Sequence, residues 1–587
     1  MSKRPFPWEK SYTAGINWDL DVPAATLTSM FKEAVVKHRD RTVIEFRSIE
    51  ISFAELERKA TRCAAALMSL GIGKSKPLAL YLPNVPYHPI AFFGGLMTGA
   101  PLVHLSPLDA ERELAHKLKD SGARTVFTTD FVNMLPLALK LLDQGLADTI
   151  IVGEDAEWGK GDIPLAPIPQ RDGVISFKSL IEKAPEAHAF PSLSPGDIAL
   201  LQYTGGTTGL PKGAILTHAN LIAAVASYTA CASAVNLDHP GEETVICVLP
   251  LFHIYALTTI LLRNIQDGNK MLLRTRFDPQ QILNDIETLR ATVMPGVPTM
   301  WIALLNQPGI ERRDLSSLRF CGSGGAPLPV EVQNQFAKMT GLQLKGGWGM
   351  TETSPAGTLI PDGDGVPAGT IGLPMPGIEM GIVALEDPLR ELPPGQTGEI
   401  RIRGPNVTKG YWNKPEETAK SMAGGYFLTG DIGYMDEKGF FFIVDRKKDM
   451  IISGGFNVYP QVIEQAIYEH PAVEETAVVG IPDQYRGEAA KAFIKLKTGA
   501  PAFTLEELKA FLADKIGPHE MPAFLEFRPA LPRTAVGKIL KTELRDEERR
   551  KAPQFTGARL KANPPPPTAN RLKQFFARLR GRQAASL

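Results

Sequence analysis

Tyr203-Thr204-Gly205-Gly206-Thr207-Thr208-Gly209-Leu210-Pro211-Lys212-Gly213 is the stretch on which the reading of this chain turns. Gly205, Gly206 and Gly209 let a backbone turn tightly and approach a ligand closely, Thr204, Thr207 and Thr208 supply hydroxyls, and Lys212 supplies charge. That composition suits a polyphosphate, although an ordinary glycine-rich turn shares it. The stretch lacks the Gly-Lys-Ser or Gly-Lys-Thr ending of a Walker A loop, so a phosphate bound here belongs to another nucleotide fold. The apolar run Ile198 to Tyr203 reads as a strand leading into the loop, and Thr217 to Ala226 as the helix beyond it. The loop then lies where α/β sheets bind ligands.

Working outward, the rest of the chain alternates in the same way. Thr42 to Phe46 and Ile49 to Ser52 read as short strands. Ser52 and Glu55 form a capping box that opens a helix with Leu56, Ala60, Cys63, Ala64 and Leu67 on one face and Gly71 at its end. The apolar strand Leu78 to Leu82 follows, and Thr125 to Thr128, Leu135 to Leu142 and Thr149 to Val152 continue the pattern. An α/β architecture with largely parallel sheets is expected. Gly153 to Pro195 reads as a surface excursion. The uncharged segment Pro77 to Pro107 is interrupted by Pro83, Pro86, Pro89, Gly94, Gly95, Gly99 and Pro101, so it predicts a buried strand and a core helix rather than a membrane span.

A chain of 587 residues exceeds one hydrophobic core and predicts at least two domains. Lysine plus arginine balance aspartate plus glutamate at 64 each, which argues against a nucleic-acid binder. Cys63, Cys231, Cys247 and Cys321 lie far apart, without metal-like or disulfide-dense spacing, and read as buried free thiols in a reducing compartment. Met1 to Lys10 lacks the apolar core of a signal peptide, so a cytoplasmic protein is expected.

Five further motifs follow the loop in order: Pro250-Leu251-Phe252-His253, Gly347-Trp348-Gly349-Met350-Thr351-Glu352-Thr353, Tyr426 to Asp431, Asp445 to Pro460, and Pro532 to Ile539. With the loop, this set resembles the adenylate-forming ligases, the acyl-CoA synthetase superfamily, from about Ser29 to Arg549. Met435-Asp436 through Ile451 and Gly455 to Pro460 are most similar to the bacterial medium- to long-chain fatty acyl-CoA synthetases. The resemblance implies a large multi-sheet α/β N-terminal domain over 1–444 and a small, mobile α+β C-terminal domain over 445–550. It also implies ATP and coenzyme A as co-substrates and Mg²⁺ as cofactor. The reaction is then conversion of a fatty acid to its acyl-CoA through an acyl-adenylate, with release of AMP and pyrophosphate.

Roles follow position by position. Thr204 to Gly209 and Lys212 would hold the phosphates, and Gly324, Gly325, Ala326 and Pro327 would face adenine. In Gly347 to Met350, Trp348 would stack on the base; Thr351 would bond the α-phosphate, and Glu352, with Thr204, would hold Mg²⁺. Asp431 would accept the ribose hydroxyls and Arg446 would contact the ribose, while Lys448 would be the hinge. His253 would border the acyl pocket as a positioning residue. Gly454, Gly455 and Phe456 would enter for the transfer to coenzyme A, displacing Lys538, the adenylation lysine. Two departures stand out: Trp348 replaces the commonest tyrosine, keeping a stacking plate but losing the phenol, and Gly205 replaces a frequent serine. A dicarboxylate or aryl acid ligase uses the same machinery, and a non-catalytic acyl- or nucleotide-binding protein is the rival of another class, disfavoured by intact Glu352 and Lys538.

Residues 551 to 587 lie beyond the resemblance and carry eight lysines or arginines and no acidic residue. Pro564 to Pro567 forms a stiff spacer, after which Leu572, Phe575, Phe576 and Leu579 recur at helical spacing among basic residues. Residues 570–582 thus read as an amphipathic basic helix able to lie on anionic membrane; a solvated tail, or one docked on the body, has the same composition.

Overall fold

The computed structural model describes residues 4–185, 189–204, 211–326, 328, 330–363, 365–453, 456–483, 486–534 and 539–551. Two seven-stranded sheets form the large body. In spatial order the first runs Val174–Ser176, Thr149–Gly153, Thr125–Thr129, Leu78–Tyr81, Leu102–Leu105, Ile198–Thr204 and Lys212–Thr217. The second runs Leu344–Gly346, Phe320–Ser323, Val293–Gly296, Thr244–Cys247, Lys270–Leu273, Thr42–Phe46 and Ile49–Ser52. Pairing is parallel except for the last pair of each. Leu78–Tyr81 and Leu102–Leu105 are buried at every position, as continuous apolar strands are when helices cover both faces of a sheet.

Helix Phe53–Ser69 packs on helix Tyr87–Met97, the core helix expected within the uncharged segment. Gly94 permits their approach, because a β-carbon there would lie 2.9 Å from the Ala60 carbonyl and from Cys63 Cβ. Among the described residues, no helix is long and apolar enough to cross a membrane. All four cysteines are buried and free, and burial raises each thiol above its usual range.

A five-stranded antiparallel sheet follows, built from Glu379–Val383, Gly398–Arg403, Tyr426–Met435, Met422–Ala423 and Phe441–Arg446. The last sheet is smaller: Phe456–Val458, Ile451–Ser453, Gly487–Leu496 and Val473–Asp483, with Phe524–Phe527 parallel to Gly487–Leu496. Helix Pro460–Tyr468 covers it with Ile463, Ala466 and Ile467. Met1–Arg545 forms one compact unit, and a second begins at Asp546, within helix Lys541–Lys551.

Several local readings are corrected. The chain after the glycine-rich stretch does not pass straight to a helix; Lys212–Thr217 pairs back antiparallel on Ile198–Thr204, and the helix starts at His218. Gly213 and Pro211 hid that strand, yet Gly213 is what lets the Tyr203 ring close over it, 3.2 Å from where a β-carbon would stand. Ser52 caps its helix, but Glu55 faces Arg58 and Lys59 instead of completing a box. The excursion after Gly153 contributes the edge strand Val174–Ser176 and helix Phe177–Glu182. Strand Gly487–Leu496 is buried on both faces, Ala490, Ala492 and Ile494 in one cluster and Phe493 against Leu531 and Leu544 in another.

The second sheet carries a buried ionic tie. Arg274 reaches Glu45 at 2.7 Å and grips Asp285 with Nε and Nη2 at 2.7 and 3.0 Å. Both carboxylates are buried, so removing the guanidinium strands two charges. Arg274→Met is expected to lower stability by about 3–5 kcal/mol. Urea unfolding followed by circular dichroism checks this through the shift in midpoint.

Candidate active site

The strand ends of both large sheets open on one cavity of about 1420 Å³. Thr204, Ser323 and Gly346 end parallel strands and line it, as ligand sites in open α/β sheets do. Trp348, Glu352, Asp431 and Arg446 line the same cavity, so motifs far apart in sequence share one space.

The turn from Gly347 to Pro355 is folded by its own backbone. A β-carbon on Gly349 would fall 1.4 Å from the Pro355 carbonyl oxygen, so that glycine serves chain packing. Thr353 Oγ1 accepts from the Met350 amide and closes the short helix Thr351–Thr353. Asn406, fully buried, then donates to the carbonyls of Thr353 and Ala356 at 2.7 and 2.8 Å. Nothing in the sequence near Asn406 announces that clamp.

Glu352 sits on this turn, and burial pushes its carboxyl above the usual range while a hydrogen bond from Tyr411 opposes the shift. The Tyr411 hydroxyl donates to Oε1 at 2.7 Å. Tyr411 gets there because 410–412 zips onto the edge strand, with Ile215 N–H donating to Gly410 O at 2.9 Å and Trp412 N–H to Gly213 O at 2.8 Å. Lys212 opens that strand, with its ammonium 5.4 Å from the Tyr411 ring centroid and paired with Glu417. Its charge is therefore paired with Glu417 in this structure. Sequence reasoning missed Tyr411; an aromatic in Gly410-Tyr411-Trp412 was the available signal.

Asp431 lies within strand Tyr426–Met435, opposite Arg446. Trp348 Nε1 donates to its Oδ2 and Arg446 Nε to its Oδ1, each at 2.7 Å. The phenol lost at position 348 is thus not the loss of a polar contact, since the indole supplies a donor of its own. The charged run after Val444 is not simply a solvated face either. Asp445 and Arg446 close strand Phe441–Arg446, so the boundary expected at 444 falls inside a strand. Asp445 is buried and accepts the Gln461 amide at 2.8 Å, Lys447 meets Glu399 at 2.8 Å and Asp449 meets Arg545 at 2.7 Å. Burial lowers the Lys448 ammonium below its usual range.

His253 caps helix Ile254–Ala256, accepting the Tyr255 amide at 3.2 Å, and the helix widens to a π turn over Leu257–Leu262. Gln202 holds the preceding carbonyl, Phe252 O, at 3.0 Å and meets buried His104 at 3.0 Å. Burial depresses His104 to about 4. Gly324, Gly325 and Ala326 line the cavity, Gly324 against the Tyr255 ring, and Thr351 and Met350 line it too. Phe456 is exposed beside His519, 5.4 Å between ring centroids. Gly205, Gly206, Thr207, Thr208, Gly209, Pro327, Gly454, Gly455, Lys538 and the tail from 552 lie outside the described residues.

Tyr411→Phe removes the donor from a buried carboxylate without changing ring volume. A loss of about 1–3 kcal/mol in stability is expected. Denaturant titration of the variant beside the parent protein decides it, and an unchanged midpoint would refute the bond's importance.

Residues 31–412 match the family described as AMP-binding enzyme, and residues 462–538 match AMP-binding enzyme C-terminal domain. A long-chain-fatty-acid–CoA ligase of Bacillus subtilis (strain 168) is 40% identical over 563 residues, 92% of this chain and 98% of that protein. One from Escherichia coli O6:H1 (strain CFT073) is 38% identical, covering 93% and 98%. Among solved structures, ATP-bound MatB from Rhodopseudomonas palustris superposes with a TM-score of 0.78 at 30% identity, covering 89% of this chain and 99% of that one. The match to both family domains in order and the near-full-length likeness place this chain in the AMP-binding enzyme family, whose acid–CoA ligases use ATP and coenzyme A.

Proposed function

We propose that this protein is an ATP-dependent ligase that converts medium- to long-chain fatty acids to their acyl-CoA thioesters through an acyl-adenylate. One observation carries the reading: a single cavity joins the polar group of Glu352, Asp431 and Arg446 to an apolar lining that includes Tyr228, Val235, Leu237, Ile302 and Phe320. Arg263 also borders it, but its charge is held by Asp267 at 3.4 Å and by the Leu237 carbonyl at 3.1 Å. That side of the cavity suits a hydrocarbon chain. The named relatives from Bacillus subtilis and Escherichia coli support the same class of acid.

A carboxylate resists a thiol because oxide is a poor leaving group. The acid oxygen therefore attacks the α-phosphorus of ATP, and the bond to pyrophosphate breaks. The thiol sulfur of coenzyme A then attacks the acyl carbon, loses its proton, and releases AMP. Asp431 and Arg446 hold the ribose, Trp348 and the Gly324 to Pro327 segment hold the base, and Thr204 to Gly209, Thr351 and Lys538 hold phosphate oxygens. His253 fixes the wall of the acyl side by capping its helix.

Glu352 and the Thr204 hydroxyl fit Mg²⁺, a hard cation that takes one or two protein oxygens and completes its shell with phosphates and water. Tyr411 uses one Glu352 oxygen, and a cation at the other would offset the burial that now disfavours the charged carboxylate. When bound, Mg²⁺ would supply neutralisation of phosphate charge. We read 1–444 as the adenylate-forming body, 445–550 as the mobile small domain with Lys448 as its pivot, and 551–587 as a tail whose segment 570–582 contacts anionic membrane.

Lys538→Ala is expected to slow acyl-adenylate formation by at least about 100-fold while thioester formation from supplied acyl-AMP falls far less, since the lysine acts on charge in one step only. Half-reaction assays decide it, and equal losses would sink the role. Pyrophosphate release across a panel of acids should be fastest with saturated chains of medium to long length. Faster turnover of benzoate, coumarate, acetate or a dicarboxylate would overturn the substrate assignment.

A further inference from the structure

Trp348 is held more rigidly than a stacking plate requires. Its amide donates to Thr358 Oγ1 at 3.0 Å, and its carbonyl accepts the Thr358 amide at 2.8 Å. Gly357 lies so close to the ring that a β-carbon there would stand 2.6 Å from the indole Cε3. Trp348 is 8% exposed, and its indole N–H, the sole donor of that side chain, reaches Asp431, itself 1% exposed. Arg446 takes the other carboxylate oxygen.

An ionised carboxylate has about four acceptor positions. One on each oxygen is committed to a protein donor, which fixes the rotation of the group about its Cβ–Cγ bond and leaves one position on each oxygen. Asp431 lines the cavity, so the remaining positions can serve two neighbouring hydroxyls there. A carboxylate held by Arg446 alone could swing about that one bond.

We propose that Trp348 is a positioning residue for ribose recognition: its indole N–H, together with Arg446, sets the Asp431 carboxylate so that it accepts both hydroxyls of a ribose. This rests on the nucleotide reading of the site given above. Base stacking by the same ring is a separate contribution, and the two can be measured apart.

The test is direct binding of ATP and of 2′,3′-dideoxy-ATP to the full-length protein, by calorimetry without fatty acid or coenzyme A. The parent protein should prefer ATP. Trp348→Phe keeps an aromatic plate and loses the donor, so the preference should shrink by about tenfold, in line with the loss of one charge-assisted hydrogen bond. Trp348→His, which keeps a ring and an N–H, should retain more of the preference even if both affinities fall, and it carries the test if the phenylalanine variant does not fold. Loss of affinity for both nucleotides by the same factor in both variants would overturn the inference while leaving the nucleotide site intact. A parent protein that binds ATP without preference would overturn it too. A parent protein that binds neither nucleotide would instead overturn the proposed function on which the inference stands.

Discussion

The carboxylate of Asp431 is the point to which the site is referenced. A charge buried this deeply is stable only when donors surround it, and the two it has come from segments 83 residues before it and a neighbouring strand after it. Trp348 is on the turn that carries Glu352, and Arg446 ends the strand that leads to the small sheet. One buried anion therefore fixes the nucleotide turn, the antiparallel sheet and the exit toward the last domain relative to one another. Removing either donor would cost more than the bond itself, because it would leave the charge behind.

The same logic places Glu352. Its turn is shaped by a glycine that no other residue could replace without moving a carbonyl and is clamped by buried Asn406. The carboxylate is then aimed by Tyr411, whose position comes from backbone pairing with the edge strand after the glycine-rich stretch. The antiparallel pairing of Lys212–Thr217 on Ile198–Thr204 thus does two things: it presents Thr204 at the cavity and it delivers Tyr411 to Glu352. A crossover to a helix directly after the loop could do only the first.

What the sequence disclosed follows from how local each signal is. Continuous apolar strands such as Leu78–Tyr81 and the glycine-bounded helix Phe53–Ser69 are read from their own residues, and they stand where expected. Asp431, Glu352, Thr204 and Arg446 were legible through motif resemblance, and the structure brings them to one cavity. Tyr411, Asn406 and the indole bond of Trp348 were not legible, because each acts on a partner about 50 or more residues away through a contact that neither segment records alone. Lys212–Thr217 was missed for a different reason: Pro211 and Gly213 lower strand propensity locally, and packing of Tyr203 over Gly213 overrides it.

In the charged run 445–449, residues that look like a solvated face are shared between the antiparallel sheet and the last helix. Arg446 and Lys447 turn toward the antiparallel sheet, where Asp431 and Glu399 hold them. Asp449 turns the other way, to Arg545 within the last helix. Lys448 stands between the two sets, its ammonium disfavoured by burial rather than stabilised by a dominant partner. Pairs on each side can survive a rotation about Lys448, since neither set crosses it. Asp445 is the exception: it belongs to the antiparallel sheet yet accepts the amide of Gln461, in the first turn of helix Pro460–Tyr468, whose own N-cap residue Tyr459 provides no side-chain acceptor. A buried carboxylate at a helix N-terminus is a favourable arrangement for both groups. Any turning of the small sheet about Lys448 must release that bond, worth about 1.5–3 kcal/mol for a charged acceptor. The orientation seen here is therefore held by a bond that a rotation would have to give up, while the pairs at either end of the run remain in place.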